Sequence, residues 1–352
     1  MAVSPSHPYC GKPTVTANTV SIQQQDDWQH QLRNVISSAE QLLTMLGLAP
    51  EDVGYSPQAA AEFALKVPLA FVRKMRCGDP KDPLLLQVLA HQEEMIKVPG
   101  FSIDPLDEVG EANPARGIIQ KYRGRALLIV SGGCAINCRY CFRRHFPYND
   151  NQNSRAEWDQ ALEYIARDKD ISEVILSGGD PLITSDKYLD ELVTKIAAIG
   201  HIRRLRIHTR LPVVIPDRVS KGLLEAVRRP GLQTVVVIHC NHPNEIDDSV
   251  AAALQRMQQG GIALLNQAVL LAGINDRADT LIALSERLFT AGVLPYYLHL
   301  LDKVQGAAHF DVNEEKACGL ITELTNTLSG YLVPKLVREV AGAPSKMGVD
   351  GV

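Results

Sequence analysis

The chain has 352 residues, 45% hydrophobic and 22% charged, enough for one large or two medium globular domains. Its formal net charge of −4 gives no global attraction to nucleic acid or to an anionic membrane. Residues 1–8 lack the basic and apolar regions of a signal peptide, and no apolar stretch approaches the ~20 residues of a spanning helix, so no membrane contact is expected.

Residues 1–25 are polar, carry Gln23-Gln24-Gln25 and early prolines, and read as a loose tail. Residues 26–100 read as a helical N-terminal region without visible chemistry. Trp28, Leu32, Val35 and Ile36 fall at helical spacing, and Ala39, Leu42, Leu43 and Leu46 continue the stripe. A second helix is predicted over about 59–66, with Pro68 and the turn Gly78-Asp79-Pro80 as breaks after it. A further amphipathic segment is predicted over 84–95. Residues 101–125 form a connector ending in Lys121, Arg123 and Arg125, cations that either hold a phosphate or face solvent.

From residue 126 a strict alternation sets in. Apolar, β-branched runs at 126–130, 173–176, 205–208, 234–239, 262–270 and 293–300 alternate with helical patterns at about 156–167, 186–199, 217–228, 247–259, 278–291 and 313–328. Six such units predict an α/β fold with a parallel sheet and helices outside it, open or closed into a barrel. Each strand ends in polar residues: the cysteines after 130, Ser177-Gly178-Gly179-Asp180, His208-Thr209-Arg210, His239-Cys240-Asn241-His242, Asn266-Gln267, and His299 to Asp302. In parallel α/β folds the site lies at that end of the strands.

The first strand runs into Ser131-Gly132-Gly133-Cys134-Ala135-Ile136-Asn137-Cys138-Arg139-Tyr140-Cys141-Phe142-Arg143-Arg144. Three thiolates at this spacing can share one inorganic centre, and three ligands leave a position open where four would saturate it. Two readings compete with a catalytic cluster. The cysteines could be packing residues. Alternatively Cys134, Cys138, Cys141 and His145 could bind structural zinc, with Arg139, Arg143 and Arg144 as the basic edge of an RNA-binding module. Three arginines are a thin electrostatic footprint on an acidic chain. Seven cysteines with one tight cluster argue against a disulfide scaffold and for a reducing, cytoplasmic setting.

The cysteine loop resembles the cluster-binding loop of the radical S-adenosylmethionine (SAM) enzymes. That resemblance implies a [4Fe-4S] cluster on Cys134, Cys138 and Cys141, with SAM on the fourth iron. It also implies a partial (βα)6 TIM-like barrel over 101–352, with the helical region as an N-terminal subdomain. Ser177, Gly178, Gly179 and Asp180 are similar to the loop that binds the SAM amino group, and the resemblance implies His239 and Gln267 as further cofactor contacts.

The resemblance narrows over about 101–346. The strings Cys-Arg-Tyr-Cys-Phe-Arg-Arg (138–144), Ser-Gly-Gly-Asp-Pro-Leu (177–182), Thr-Arg-Leu-Pro-Val-Val-Ile-Pro (209–216), Asn-His-Pro-Asn-Glu-Ile (241–246) and Pro-Tyr-Tyr (295–297) look like the lysine 2,3-aminomutase family. Residues 142–148 and 301–310 are most similar to its short bacterial branch, which makes (R)-β-lysine for modifying elongation factor P. That likeness implies pyridoxal phosphate as a second cofactor. Lys346, in Ala341-Gly342-Ala343-Pro344-Ser345-Lys346, matches the Schiff-base lysine, in a loop with fewer glycines than the longer enzymes carry; Lys303 is the rival. Lys121 and Arg125 match the phosphate cations. Arg143 matches the clamp on the substrate carboxylate. Asp302 and Glu339 match the acids on the ε-ammonium of L-lysine, with Glu339 standing where the longer enzymes have Asp. The partners implied are L-lysine, a cellular electron donor and an enzyme of elongation factor P modification. The chain stops six residues past Lys346, so the tetramer of the longer enzymes does not carry over.

Overall fold

The computed structural model describes residues 28–110, 112–151 and 158–349; the tail expected at 1–25, with Cys10, lies outside them. Nine strands form one sheet in sequence order: β1 (Ile118–Ile119), β2 (Arg125–Ser131), β3 (Glu173–Gly178), β4 (Arg204–Thr209), β5 (Gln233–Ile238), β6 (Ala263–Val269), β7 (Leu294–His299), β8 (Lys335–Arg338) and β9 (Met347–Gly348). Strands β2 to β8 are all parallel, while β1 and β9 pair antiparallel at the two edges. Among the described residues no pairing closes β1 onto β9, so the sheet is an open, partial barrel. The six expected strands are β2 to β7. The sequence reading missed β8 as a seventh parallel strand, because four residues are too few to show a pattern.

The helices lie between the strands, as right-handed crossovers require. Those following the parallel strands include α6 (Trp158–Arg167), α7 (Asp186–Ala197), α9 (Lys221–Ala226), α10 (Asp248–Gln259), α11 (Ala278–Thr290) and α12 (Glu314–Thr327); α8 (Leu211–Val214) and α5 (Tyr148–Asn151) are single turns. Four of these starts are set by side-chain caps that satisfy otherwise unpaired amides. Ser185 accepts from the Tyr188 amide, Ser220 from Leu223, Asp247 from Val250 and Asn313 from Lys316. Each helix then buries one stripe; in α10 it is Val250, Ala253, Leu254 and Met257.

The N-terminal region is less helical than its pattern suggests. Short helices α1 (Trp28–Arg33), α2 (Ala39–Leu46), α3 (Pro57–Glu62) and α4 (Leu69–Val72) are joined by turns. The helix expected over 59–66 stops at Glu62, where Phe63 turns extended. The segment expected over 84–95 is a series of turns ending in a 3-10 turn at Gln92–Met95. Asp82 takes the amides of Leu84 and Leu85 at 2.9 and 3.0 Å, an alternative to the helical ladder. Leu84, Leu85 and Val88 are all fully buried, so the apolar spacing there reflects burial on every side.

This region braces the cysteine loop. The Asn137 amide donates to Lys66 O and the Arg139 amide to Gln87 O, each at 2.9 Å. The Arg139 guanidinium is fully buried, paired with Glu94 and donating to the carbonyls of Ala59 and Phe63. One hydrophobic core runs from Ile36 through the sheet to Val349. No described helix is long and apolar enough to cross a membrane.

Candidate active site

A cavity of about 270 Å3 opens at the C-terminal ends of the parallel strands. It gathers residues far apart in sequence: Lys121 and Arg125 from the connector and β2, Cys134, Cys138, Cys141 and Arg143 from the loop after β2, and Ser177 to Asp180 after β3. His239 and Gln267 reach it from β5 and β6, Asp302 from beyond β7, and Glu339 and Lys346 from the β8–β9 connection. Lys303, beside Asp302 in sequence, is exposed and does not line the cavity.

The three thiols share one wall. Burial pushes the Cys134 thiol well up, and the nearby Asp180 and the other two cysteines add to this; burial and Cys138 push Cys141 to about 11. Desolvated thiols grouped in this way ionise readily only beside a strong cationic centre. Arg210 supplies part of that charge, its Nη1 donating to Cys138 Sγ at 2.8 Å. Three soft donors on one braced loop fit an iron–sulfur cluster with an open iron. The zinc reading loses its fourth ligand, because the His145 ring faces Gln305 O at 3.4 Å. Among the described residues no three His, Cys, Asp or Glu side chains gather around a point where a single ion would sit. Cys134, Cys138, Cys141, Cys240 and Cys318 are free.

The Gly-Gly turn after β3 has a different immediate cause from the one its pattern suggests. Gly178 has φ +120°, and a Cβ there would stand 2.4 Å from Ser131 O; a Cβ on Gly179 would stand 2.2 Å from Gly133 O. The cysteine loop by itself already requires glycine at both positions. The loops are joined by Gly179 N to Ser131 O at 2.6 Å and Asp180 N to Gly133 O at 2.8 Å. The Asp180 carboxylate is fully engaged by protein donors: Thr209 Oγ1 and the amides of Leu182, Arg210 and Leu211. It fastens the β3 loop to the β4 loop.

A chain of alternating charges crosses the cavity. The Arg143 guanidinium donates through Nε and Nη2 to Glu108 at 2.5 and 2.8 Å, and Lys121 Nζ reaches Glu108 at 2.8 Å and Glu339 at 3.0 Å. Glu339 in turn pairs with Lys346. Burial opposes ionisation of Glu108, but Arg143 and Lys121 outweigh it and hold its carboxyl below the usual range. Lys346 and Lys121 do the same for Glu339 against its own burial. Burial lowers the Lys346 amine, with Glu339 opposing. Asp302 makes no ion pair among the described residues and is pushed up to about 7 by burial and by Glu339, with Lys346 and Lys121 opposing.

Three histidines line the same wall as neutral rings. Burial pushes His239 down to about 3 and His208 and His299 well below their usual value. His239 Nε2 pairs with Gln267 Nε2 at 2.9 Å, and His299 Nε2 lies 3.5 Å from Lys346 Nζ.

Sequence reasoning missed Glu108 and Arg210. Glu108 stood in a connector singled out only for its cations, and there the Asp104 carboxylate holds the amides of Glu108 and Val109 at 3.0 and 3.1 Å. Arg210 was visible as one of the polar strand ends but had no assigned task.

Comparison with known proteins adds two findings. Residues 128–281 match the model of the radical SAM superfamily. Over nearly its full length the chain is similar to proteins named L-lysine 2,3-aminomutase. It is 50% identical to that of Escherichia coli K12, over 96% of this chain and 97% of the relative, and 49% identical to that of Haemophilus influenzae, over 92% and 96%. Its identity with the Clostridium subterminale protein is 32%, over 92% of this chain and 78% of that one.

Proposed function

The chain belongs to the lysine 2,3-aminomutase family of the radical SAM superfamily, and on that premise we propose that it converts L-α-lysine to (R)-β-lysine. The observation that carries this reading is that one cavity holds both the three free cysteines and Lys346, which come from opposite ends of the sheet. When bound, the cluster and SAM supply the hydrogen-abstracting radical, and pyridoxal phosphate supplies the conjugated ring that spreads the unpaired electron.

The residues of the chain divide the remaining work. Lys346 is the amine that carries pyridoxal phosphate: it is buried in the cavity, its charge is lowered by desolvation, and Glu339 orients it. Arg125 is the freer of the two phosphate cations. Its guanidinium stacks 4.5 Å over the Tyr122 ring, whereas Lys121 is already shared by two carboxylates. Arg143 meets the substrate carboxylate. Its Nε/Nη2 edge is taken by Glu108, so Nη1, now 3.3 Å from Ser177 Oγ, is the donor that remains. Asp302 and Glu339 receive the ε-ammonium, and its charge draws the proton off Asp302. The neutral histidines add polar contacts without adding positive charge.

The product fits use in elongation factor P modification in the cytoplasm, with a low-potential cellular donor reducing the cluster. The test is anaerobic incubation with lysine, SAM, pyridoxal phosphate and dithionite, with product position and stereochemistry read by chiral chromatography. (R)-β-lysine is expected. SAM cleavage without β-lysine would leave only the superfamily chemistry standing.

A further inference from the structure

Arg210 is a buried cation, 4% exposed, at the end of β4. Its Nη1 donates to Cys138 Sγ at 2.8 Å and to Tyr140 OH at 2.7 Å. Its Nη2 donates to Gln87 Oε1 at 2.7 Å and to Glu245 Oε2 at 2.9 Å. Glu245 is itself fully buried and is fixed by the amides of Asn241 and His242. The Arg210 backbone is held by Asp180. Among the described residues Cys138 is the one cluster cysteine whose sulfur receives a side-chain cation.

The Glu245 carboxylate already pairs with this guanidinium, so its charge does not need the thiol for balance. The contact nevertheless places positive charge on one ligand sulfur of the proposed cluster. Taking up one electron from a low-potential donor adds one negative charge to the cluster and its thiolates. A hydrogen bond and a positive charge at a ligand sulfur stabilise that added charge. In a low-dielectric wall the effect is not screened away. Glu245 acts in the opposite sense, offsetting part of the Arg210 charge.

We infer that Arg210 is a tuning residue that raises the reduction potential of the cluster on Cys134, Cys138 and Cys141 through its contact with Cys138, and that Glu245 sets how much of its charge the sulfur feels. The inference rests on the reading of those three cysteines as cluster ligands. It does not make Arg210 a catalytic residue, since it touches a ligand and not the reacting atoms.

The experiment is anaerobic potentiometric titration of the reconstituted protein, followed by electron paramagnetic resonance, with iron content measured on every sample. Arg210→Gln is expected to hold iron and to shift the equilibrium at least tenfold toward the oxidised cluster, about 59 mV for one electron. Arg210→Lys, which keeps the charge on a shorter, less directional donor, should shift it less. Glu245→Gln should shift it the other way, because the arginine charge is then uncompensated. An iron-loaded Arg210→Gln protein with an unchanged or higher potential overturns the inference. Where Arg210→Gln fails to hold iron, an unchanged or lower potential in Glu245→Gln overturns it instead. Wild-type protein that takes up no iron would fail the cluster reading itself, an outcome separate from either.

Discussion

The carboxylate of Glu108 is shared between Arg143, at 2.5 and 2.8 Å, and Lys121, at 2.8 Å. It is 2% exposed, and it couples the proposed carboxylate clamp to the cation that continues through Glu339 to Lys346. A buried charge with two partners is costly to remove, because both partners lose their compensation at once. Losing one partner of such a pair costs about 2–5 kcal/mol. Glu108→Gln is therefore expected to lower kcat/KM for lysine by roughly 30-fold or more, taking about 1.4 kcal/mol as tenfold. Steady-state kinetics on variant protein with wild-type iron content checks this. Unchanged kcat/KM would show that Arg143 and Lys121 hold their places without it.

Changing Cys134, Cys138 or Cys141 singly to Ala should abolish iron binding and reductive SAM cleavage, since two thiolates leave the cluster without its full set of ligands. Cys240, fully buried beyond the end of β5, and Cys318 on α12 should be dispensable for iron. Iron analysis after anaerobic reconstitution reads the result. Wild-type iron in any one of the first three would remove that residue from the ligand set.

Asp302 sets a pH dependence whose sign can be worked out. Burial, then Glu339, raises its carboxyl to about 7 from an ordinary value of 3.8. The folded protein thus binds a proton that the unfolded chain has already lost. This stability is fully present below pH ~3.8 and fades as pH rises through about 7. Substrate binding runs the other way, because the ε-ammonium favours the ionised form. Binding of lysine should strengthen as pH rises through about 7, and Asp302→Asn should remove that limb. Isothermal titration with lysine across pH 5.5 to 8.5, roughly the span in which a group near 7 titrates, is the measurement. Norleucine, which lacks the ammonium, should bind poorly and without the limb. Equal binding of norleucine and lysine would remove the lysine reading.

The sequence showed β2 to β7 because each is a β-branched run between helical periods, and periodicity survives the loss of every other kind of information. It did not show β1, β8 or β9, which have two, four and two residues and no room for a period. The cysteine loop was legible because three cysteines within eight residues is a spacing that packing alone gives no reason for. Glu108 was not, since a buried acid with two cationic partners looks in sequence like any acid in a polar connector. The same holds for Arg210: its contact with Cys138 is made across 72 residues and is decided by where β4 lies beside β3. The glycines at 178 and 179 were read as making room for a ligand; the sequence did not show that the backbone of the cysteine loop also lies against them.

Lys346 and Lys303 were rival amines for pyridoxal phosphate, and the structure separates their surroundings. Lys346 lies in the cavity between Glu339 and His299, with its charge lowered by burial, while Lys303 is exposed and outside the cavity lining. A neutral amine is the nucleophile, and desolvation favours that form of Lys346 despite the opposing carboxylate. Borohydride reduction followed by peptide mapping should place the pyridoxyl group on Lys346 and leave Lys303 unlabelled. Glu339→Asp tests how closely this amine is held. The shorter acid keeps the charge but draws it back from Lys346 and Lys121, and it leaves a gap where the ε-ammonium of lysine is to sit. Labelling of Lys346 should persist in this variant, with kcat/KM for lysine reduced, because the cofactor needs the amine and the substrate needs the acid. A pyridoxyl group found on Lys303 would move both the cofactor and the substrate pocket away from Glu339.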